Sequence, residues 1–290
     1  MGFMHIDNLY KPEAQHILMF HECYALEKIH GSSAHISWKH ETGLIHLFGG
    51  GESAVTFERL FDQPNLINRF RELFQFDDAV IFGEVYGGKQ QGQSHKYGNQ
   101  LKFVGFDVKV GKSWLNVPNA DDVTQKMGLE FVAYERVKTD LDSLNFERDR
   151  DSRQAIRNGV GAGIKQEGVV LRPLLEMTLN DGSRIICKHK RDDYKETKTS
   201  REVSPEALQV LTEAKAIAEE WVTPHRLEHV LQKLPQDLSM KDVPKLMQAM
   251  KEDVYREGRG EIVESKEAEK AIGAKAVELF KKHLQAGIKA

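Results

Sequence analysis

The run Ala25-Leu26-Glu27-Lys28-Ile29-His30-Gly31-Ser32 places a lysine and a glycine where an apolar segment gives way to a turn. That spacing is uninformative alone, so the runs that follow it decide its interpretation. They are Phe82-Gly83-Glu84-Val85-Tyr86-Gly87, Glu167-Gly168-Val169-Val170-Leu171-Arg172 and Lys188-His189-Lys190, in that order. Each is strand-like and carries one or two charges. Together they predict one cleft that contains a lysine, two carboxylates and two further lysines.

These side chains suit the transfer of a nucleotide through a covalent lysine intermediate. Lys28 would be the nucleophile, and a lysine with a reference pKa of ~10.4 must lose its proton first, at a cost of roughly 4–5 kcal/mol near pH 7. Neighbouring cations lower that cost, because they disfavour a second positive charge. Lys188 and Lys190 lie two residues apart on a predicted strand and therefore point to one face. They are also suited to bind an α-phosphate during the transfer.

The carboxylates and one aromatic residue complete the predicted site. Glu84 and Glu167 each lie in or beside an apolar run, where a solvated carboxylate is unexpected. Each is predicted to bind a ribose hydroxyl or a metal ion, with a structural ion pair as the alternative. Phe103 has an aromatic face that suits stacking on a purine, with core packing as the alternative. Phe106, on the opposite face of the strand, is predicted to belong to the core.

The composition describes a globular chain of 290 residues, with 40% hydrophobic and 29% charged residues. The formal net charge of −3 argues against binding through bulk charge, so a nucleic-acid surface must concentrate its basic residues locally. Cys23 and Cys187 form neither a disulfide framework nor a metal motif, which favours a reducing cytoplasm. We expect no membrane partner, because no apolar run reaches the length of a span and no signal peptide is evident.

The chain changes character near residue 200. Before it, alternating runs bounded by glycine predict strands, for example at 34–38, 79–85, 101–108 and 184–188. After it, Ala, Leu, Glu and Lys dominate, which is typical of helices. We therefore expect a strand-rich domain over 1–200, a polar linker over 192–203 and an all-helical domain over 201–290.

Proline and glycine mark the predicted helix ends in the second domain. Ser204-Pro205 and Thr223-Pro224 each place a capping residue before a proline at the first helical position. A third helix is predicted to end at Gly258 or Gly260, and a fourth to span about 265–283.

On these motifs the chain resembles the polynucleotide ligases and is most similar to the RNA ligase 2 family. The four runs resemble nucleotidyltransferase motifs I, III, IV and V, and Lys28-Ile29-His30-Gly31 has histidine where DNA ligases and capping enzymes usually have aspartate. Lys102-Phe103-Val104-Gly105-Phe106-Asp107 resembles the extra motif IIIa. Lys188-x-Lys190-x-x-x-Tyr194-x-Glu196 resembles the extended motif V, and Trp221-Val222-Thr223-Pro224-His225-Arg226-Leu227 resembles a signature of the helical C-terminal domain.

The resemblance implies an α+β fold. An antiparallel-sheet-rich nucleotidyltransferase domain (ATP-grasp-like ligase) over 1–200 would be the adenylyltransferase, and a small all-helical C-terminal domain over 201–290 would bind RNA. It also implies a reaction in three steps. Lys28 attacks the α-phosphate of ATP to form lysyl-AMP, the AMP moves to a 5′-phosphate, and a 3′-hydroxyl then expels it. ATP and Mg²⁺ (or Mn²⁺) are the implied cofactors, and nicked duplex RNA or an RNA–DNA hybrid is the implied partner of a monomeric RNA-repair enzyme.

The resemblance also assigns roles to single residues. It implies that Lys28, Glu167, Lys188 and Lys190 are catalytic, that Glu167 also supports the metal, and that nucleotide contacts come from Glu27, Ile29, Ser33, Glu84, Phe103, Lys188 and Lys190. In these roles Phe103 stacks on adenine, Glu84 binds the ribose, and main-chain groups around Glu27 and Ile29 read the adenine edge.

The chain departs from the family pattern at two positions. Ser33 stands where the family usually has asparagine. Leu47-Phe48-Gly49-Gly50 stands where the family has an arginine, for which Arg59 is a candidate substitute.

Two other functions are compatible with the same motifs. An ATP-dependent DNA ligase is the nearer alternative, although DNA ligases usually carry an OB-type barrel after the first domain, and no strand periodicity follows residue 200. A non-catalytic protein that binds nucleotide and RNA on the same fold is the alternative from another class. Labelling of the protein by radioactive ATP separates it from both ligases.

Overall fold

The computed structural model describes residues 2–194, 204–235, 238–259 and 261–288, with side chains to residue 285. Two compact units divide the chain. The strand-rich unit comprises residues 2–9 and 22–194, and the helical unit comprises residues 10–21 and the described residues from 204 onwards. The segment 10–21, predicted with the strand-rich domain, thus groups with the helices. Residues 195–203 of the predicted linker lie outside the described residues.

Two antiparallel sheets build the strand-rich unit. Its strands are β1 (Glu22–Glu27), β2 (Ser32–Lys39), β3 (Leu44–Gly49), β4 (Ala79–Gly87), β5 (Leu101–Val110), β6 (Ser113–Trp114), β7 (Tyr134–Lys138), β8 (Gly168–Pro173) and β9 (Cys187–Lys190). One sheet has the strand order β3-β2-β4-β5-β6, and the other has the order β7-β1-β8-β9. This antiparallel architecture with a helical C-terminal region confirms the predicted α+β class.

Short helices connect the strands. They are α1 (Ala54–Glu58), α2 (Gln63–Leu73), α3 (Ser94–Tyr97), α4 (Val117–Lys126), α5 (Leu141–Arg148) and α6 (Arg153–Arg157), with 3₁₀ turns at Gln90–Gly92 and Asp192–Tyr194. Most of these helices begin at a polar side chain that accepts a hydrogen bond from the third following backbone N–H, which satisfies one unpaired donor. These caps are Ser53, Asp62, Asn116, Asp140 and Ser152.

Most predicted strands are confirmed, and one is wrong in extent. The runs 34–38, 79–85 and 101–108 lie within β2, β4 and β5. The run 184–188 becomes a strand only at Cys187. Arg184 instead forms an isolated bridge to Thr178, and its side chain is committed to buried ion pairs that alternation in the sequence does not reveal.

The five-stranded sheet has one buried face and one face toward a cleft. Ala34, Ile36 and Trp38 of β2 are buried in the core, where Trp38 stacks on Phe70 of α2 at a ring-centroid distance of 5.7 Å. The alternate residue Ser33 therefore points to the other face. It pairs with Glu84 of β4, so the two lie on the same side of the sheet.

The helical unit consists of α7 (Pro205–Trp221), α8 (Pro224–Gln232), α9 (Val243–Glu257) and α10 (Lys266–Ile288), with 3₁₀ turns at Pro12–Met19 and Met240–Asp242. Ser204 and Thr223 cap α7 and α8 as predicted. Gly258 ends α9, whereas Gly260 lies outside the described residues. The last helix runs to residue 288, beyond its predicted end.

The ligase-like signature at 221–227 has a structural role in the helical unit. Thr223 caps α8, and Arg226 bonds Asp253 of α9 at 2.9 Å while its guanidinium lies 5.5 Å from the ring centroid of Trp221. Among the described helices, none is both long and apolar enough to cross a membrane.

Candidate active site

Lys28 lies just after β1, where the main chain passes close to β4. Its backbone N–H donates to the carbonyl of Gly168 at 3.0 Å, which ties it to the strand that begins beside Glu167. At Gly31, a Cβ atom would lie 2.3 Å from the carbonyl oxygen of Val85 and 2.9 Å from Cγ of Glu84. The lysine-to-glycine spacing therefore reflects a close approach that only glycine permits.

Glu167 is the centre of a group that we call the lysine cluster: Lys28, His30, Glu167 and Lys190. Its Oε1 lies 3.0 Å from Nζ of Lys28 and 2.9 Å from Nζ of Lys190, and its Oε2 lies 3.2 Å from Nδ1 of His30. The Glu167 side chain is 2% exposed, whereas that of Lys28 is 24% exposed. The carboxylate is thus enclosed, and the predicted nucleophile keeps access to the cleft.

The pKa of Glu167 reflects competition between burial and its partners. Burial alone would raise it, but the bond from His30 and the charges of Lys28 and Lys190 together lower it to about 2. Glu167 is therefore ionised at neutral pH and serves as a fixed anchor for the two ammonium groups.

Glu84 occupies a different electrostatic environment. Burial raises its pKa to about 7, and the nearby charge of Glu167 adds to this rise, while Lys28 and the Gly31 N–H oppose it. A carboxyl group with a pKa of about 7 is partly protonated at neutral pH, and an additional cation beside it would favour its ionised form. The described residues contain no group of three or more His, Cys, Asp or Glu side chains that could hold a metal ion. A metal here would therefore take most ligands from substrate phosphates and water, as Mg²⁺ commonly does.

The cleft has a cavity volume of about 420 Å³. Six of the predicted site residues line it: Glu27, Lys28, Ile29, Ser33, Glu84 and Lys188. Glu167 joins the site through its contact with Lys28, and Lys190 joins it through Glu167. Other lining residues were not predicted, and they include the segment 3–6, Phe106, Asp107, Val170 and Arg172. No local sequence signal identifies the segment 3–6, because only tertiary packing brings it to the cleft.

Phe103 does not line the cleft, contrary to the prediction. It packs in the core in edge contacts with Phe57 and Phe61, and its ring covers Gly83, where a Cβ would lie 2.4 Å from Cζ. Phe106, predicted as core, lines the cleft instead. The pairing of β4 with β5 explains this reversal: Glu84 stands opposite Val104, so Phe103 falls on the other face.

Glu27 turns its side chain away from the predicted nucleotide. Its carboxyl group accepts hydrogen bonds from the Ser152 hydroxyl at 2.5 Å and from the Gln154 N–H at 3.1 Å, at the first turn of α6. Burial raises the pKa of this group, although both bonds favour its ionised form. Only the main chain of Glu27 is therefore suited to the predicted contact with adenine.

Strand β9 presents its two lysines on one face. Lys188 stands opposite Val170 and lines the cleft, and Lys190 stands opposite Gly168 and contacts Glu167. His189, between them, points elsewhere, with Nε2 lying 2.7 Å from Oδ1 of Asn145. The alternation predicted from the sequence is confirmed.

Of the two departures from the family pattern, Ser33 lines the cleft, whereas the run Leu47-Phe48-Gly49-Gly50 and Arg59 are absent from its lining. Arg59 is exposed at the end of α1 and is absent from the cleft lining. Phe48 stacks on His35 at a ring-centroid distance of 5.1 Å. The candidate substitution by Arg59 is therefore not supported by its position in this structure.

Comparison with known proteins identifies the family of the chain. A family model described as RNA ligase matches residues 21–190, which is more than half of the chain. The chain belongs to the RNA ligase family. No curated protein is similar enough to count as a match.

Solved structures of an RNA ligase from Naegleria gruberi share the fold. A lysine-to-alanine mutant with ATP and Mn is 15% identical, with a TM-score of 0.51 over 66% of this chain and 56% of that one. An arginine-to-alanine mutant with ATP and Mn is 15% identical, with a TM-score of 0.52 over 67% and 57% of the two chains. This chain thus spans little more than half the length of the Naegleria proteins.

Proposed function

We propose that this chain is an ATP-dependent RNA ligase that works through lysyl-AMP and seals 3′-hydroxyl/5′-phosphate nicks in duplex RNA or RNA–DNA hybrids. The observation that carries the proposal is the lysine cluster, whose Lys28 lines the cleft. It holds a partly exposed lysine 3.0 Å from an ionised, enclosed carboxylate, with a second lysine on the same oxygen. Membership of the RNA ligase family supports the reaction class.

In the first step, Nζ of Lys28 attacks the α-phosphorus of ATP. A P–N bond forms, the bond to the bridging oxygen breaks, and pyrophosphate leaves. Lys28 must first release a proton, so that a nitrogen lone pair is free to attack. Glu167, with a pKa of about 2, is a poor proton acceptor, so its role is to orient Lys28 and the proton passes to water.

In the later steps, a 5′-phosphate oxygen attacks the phosphorus of lysyl-AMP, and Lys28 departs and regains a proton. A 3′-hydroxyl then attacks the 5′-phosphorus and AMP leaves. Lys188 and Lys190 would bind the phosphate that changes partners, as fixed cations do in phosphoryl transfer.

The remaining cleft residues would bind the nucleotide and its metal ion. Glu84 is the better candidate for contact with Mg²⁺ or Mn²⁺, because both oxygens of Glu167 already have partners. The ion would neutralise charge on the ATP phosphates. Phe106 replaces Phe103 as the aromatic wall for adenine, and Ser33 and the main chain at Glu27 and Ile29 complete the pocket. A raised KM for ATP in Phe106→Leu, absent in the core variant Phe103→Leu, would support this assignment.

Labelling with α-labelled ATP and magnesium tests the proposal. After pyrophosphate treatment to remove preloaded AMP, the parent should retain label through denaturation, and Lys28→Ala should retain none. Lys39→Ala, an exposed lysine paired with Asp78, is the matched control and should label like the parent. An unlabelled parent would overturn the ligase proposal and favour the nucleotide-binding alternative.

Sealing assays then separate RNA from DNA ligation. Nicked RNA, RNA–DNA and DNA duplexes of one sequence should be compared, and we expect sealing where the 3′-hydroxyl strand at the nick is RNA. Equal or faster sealing of the DNA nick would favour the DNA ligase alternative.

The helical unit is proposed to bind the nicked RNA duplex. Ultraviolet crosslinking of nicked RNA to the full chain should label peptides from 201–290, and crosslinks confined to the strand-rich unit would contradict this.

A monomer in a reducing cytoplasm is also proposed, and the two buried free thiols are compatible with such a compartment. Light scattering of the purified chain tests the monomer.

A further inference from the structure

A third lysine, unlike the two in the lysine cluster, is fully buried. Lys96, the third residue of α3, is 2% exposed, although lysine is among the residues that are almost never fully buried without a partner. Burial lowers the pKa of Lys96 to about 8, while the charges of Glu167 and Glu27 oppose this and those of Arg191 and Lys28 add to it. The side chain therefore lies within electrostatic range of the predicted nucleophile.

In the described part of the chain, the ammonium group of Lys96 contacts two tyrosine side chains. Its Nζ donates to the hydroxyl of Tyr194 at 2.7 Å and lies 4.7 Å from the centroid of that ring and 5.5 Å from that of Tyr97. Within the described residues, Tyr194 is the one hydrogen-bond acceptor of this ammonium. Such contacts recover only part of the cost of burying a charge. A lysine that is buried despite this cost in free energy is a candidate for a functional role.

Tyr194 connects Lys96 to the predicted catalytic group. Its ring packs on the ring of His30 at a centroid distance of 5.5 Å. His30 in turn places Nδ1 3.2 Å from Oε2 of Glu167, whose other oxygen holds Lys28. Each contact in this series limits the freedom of the next side chain.

The neighbour of Lys96 holds His30 from another side. The hydroxyl of Tyr97, which is 1% exposed, accepts a hydrogen bond from the backbone N–H of His30 at 3.2 Å. The dipeptide Lys96-Tyr97 therefore fixes both the main chain and the ring of His30. The segment between β4 and β5 is thus a support for the turn that follows Lys28.

We propose that Lys96 is a positioning residue for nucleotidyl transfer, which acts by holding Tyr194 against His30 and thereby orienting Glu167 and Lys28. This inference rests on the proposed function for its chemical consequence. Its structural part, the coupling of Lys96 to His30, is independent of that function.

Single-turnover formation of lysyl-AMP tests the inference. Lys96→Met removes the charge and keeps the side-chain length, and Tyr194→Phe removes the hydroxyl that Lys96 binds and keeps an aromatic ring at this position. Each should slow the step about 10- to 100-fold at saturating ATP, the range seen when residues that orient a catalytic group are replaced, with little change in the KM for ATP. Because both act through one contact, the double variant should be no slower than the slower single variant.

A control and a structural readout separate the possible failures. Lys109→Met removes a lysine that lies 5.5 Å from the Trp114 ring centroid, outside the cleft lining, and should react like the parent. The NMR signal of the His30 ring should shift in Lys96→Met and Tyr194→Phe but not in Lys109→Met.

Parent-like rates in Lys96→Met, or additive losses in the double variant, would overturn the proposal. If Lys96→Met fails to fold, the rate of Tyr194→Phe alone tests the proposal, and a parent-like rate in that variant would also overturn it. If the parent takes up no label but the His30 signal still shifts, the proposed function has failed and the coupling stands. An unshifted His30 signal overturns the coupling itself.

Discussion

Two groups of charged side chains in the strand-rich unit each surround a buried carboxylate, but their cations differ. The lysine cluster holds Glu167 between Lys28, Lys190 and His30. The second group, the arginine cluster, consists of Asp107, Arg172, Glu176 and Arg184. In it, Nη1 of Arg172 lies 3.0 Å and Nη1 of Arg184 2.7 Å from the two oxygens of Asp107, and both arginines also pair with Glu176.

The difference indicates which group is built for chemistry. Arginine does not lose its proton in proteins, whereas lysine does so readily when its surroundings favour it. The side chains of Asp107, Arg172 and Arg184 are 1–2% exposed, while that of Lys28 is 24% exposed. The arginine cluster therefore fixes the cleft wall, and the lysine cluster keeps a cation that can become a nucleophile.

Asp107→Asn should produce the largest change in stability. It leaves two buried arginines short of one carboxylate, a loss that costs about 3–5 kcal/mol of unfolding free energy. Urea unfolding of the parent and the variant measures the cost, and labelling of the folded fraction should persist. A change below about 1 kcal/mol would show that the arginine cluster is not structural.

Glu84→Gln should change how stability depends on pH. The pKa of Glu84 is raised from 4.5 to about 7 in the folded state, so the fold favours the protonated form and parent stability falls as pH rises through that window. The variant lacks this loss and should gain up to about 3 kcal/mol over the parent between pH 4 and pH 8. Parallel stability curves for the two proteins would contradict the raised pKa.

Stabilisation by MgATP tests whether Glu84 contacts the metal ion. If Glu84 contacts the metal, MgATP should stabilise the parent at pH 8 more than it stabilises Glu84→Gln, because binding to the folded state adds to its stability. The exposed residue Glu41 provides the control Glu41→Gln, which should behave like the parent in both experiments.

Glu167→Gln should lower activity more than it lowers stability. Loss of the anchor for Lys28 should slow lysyl-AMP formation about 100-fold, or about 2.7 kcal/mol, the size of effect seen when one charge-stabilising group is removed. The stability loss should be smaller than for Asp107→Asn, because Lys28 can reach solvent.

An acid titration of the same variant checks the electrostatics. The pKa of Glu167 is lowered from 4.5 to about 2, so it contributes stability above pH 4.5 that is lost as pH falls toward 2. The stability of the variant should therefore fall less steeply than that of the parent as the pH decreases below 4.5. A parent-like labelling rate, together with a parent-like loss of stability at acid pH, would remove the distinction between the lysine cluster and the arginine cluster.

The order of charged runs predicts that Lys28, Glu167 and Lys190 lie together, because strand alternation and antiparallel pairing bring strand ends together, but it does not predict the contact of His30 with Glu167. It does not determine which face of β5 meets the nucleotide. The face depends on the pairing of β4 with β5. That pairing includes a register shift between Phe82 and Gly83, so that Phe106 of β5 has no paired residue on β4. The faces predicted for Phe103 and Phe106 are therefore wrong.

Other features depend on contacts that are distant in sequence. Lys96 reaches Tyr194 across 98 positions, and Glu27 reaches Ser152 across 125. Neither pair carries a local motif. The grouping of residues 10–21 with the helical unit is also a matter of tertiary packing, which composition and periodicity do not encode.

Peptide mapping of the AMP adduct tests the central claim most directly. The parent is loaded with ATP and magnesium, digested, and sequenced by mass spectrometry to locate the modified side chain. The lysine cluster predicts AMP on Lys28 alone. AMP on Lys96, Lys188 or Lys190, or no adduct on a parent first stripped with pyrophosphate, would contradict the account of this site.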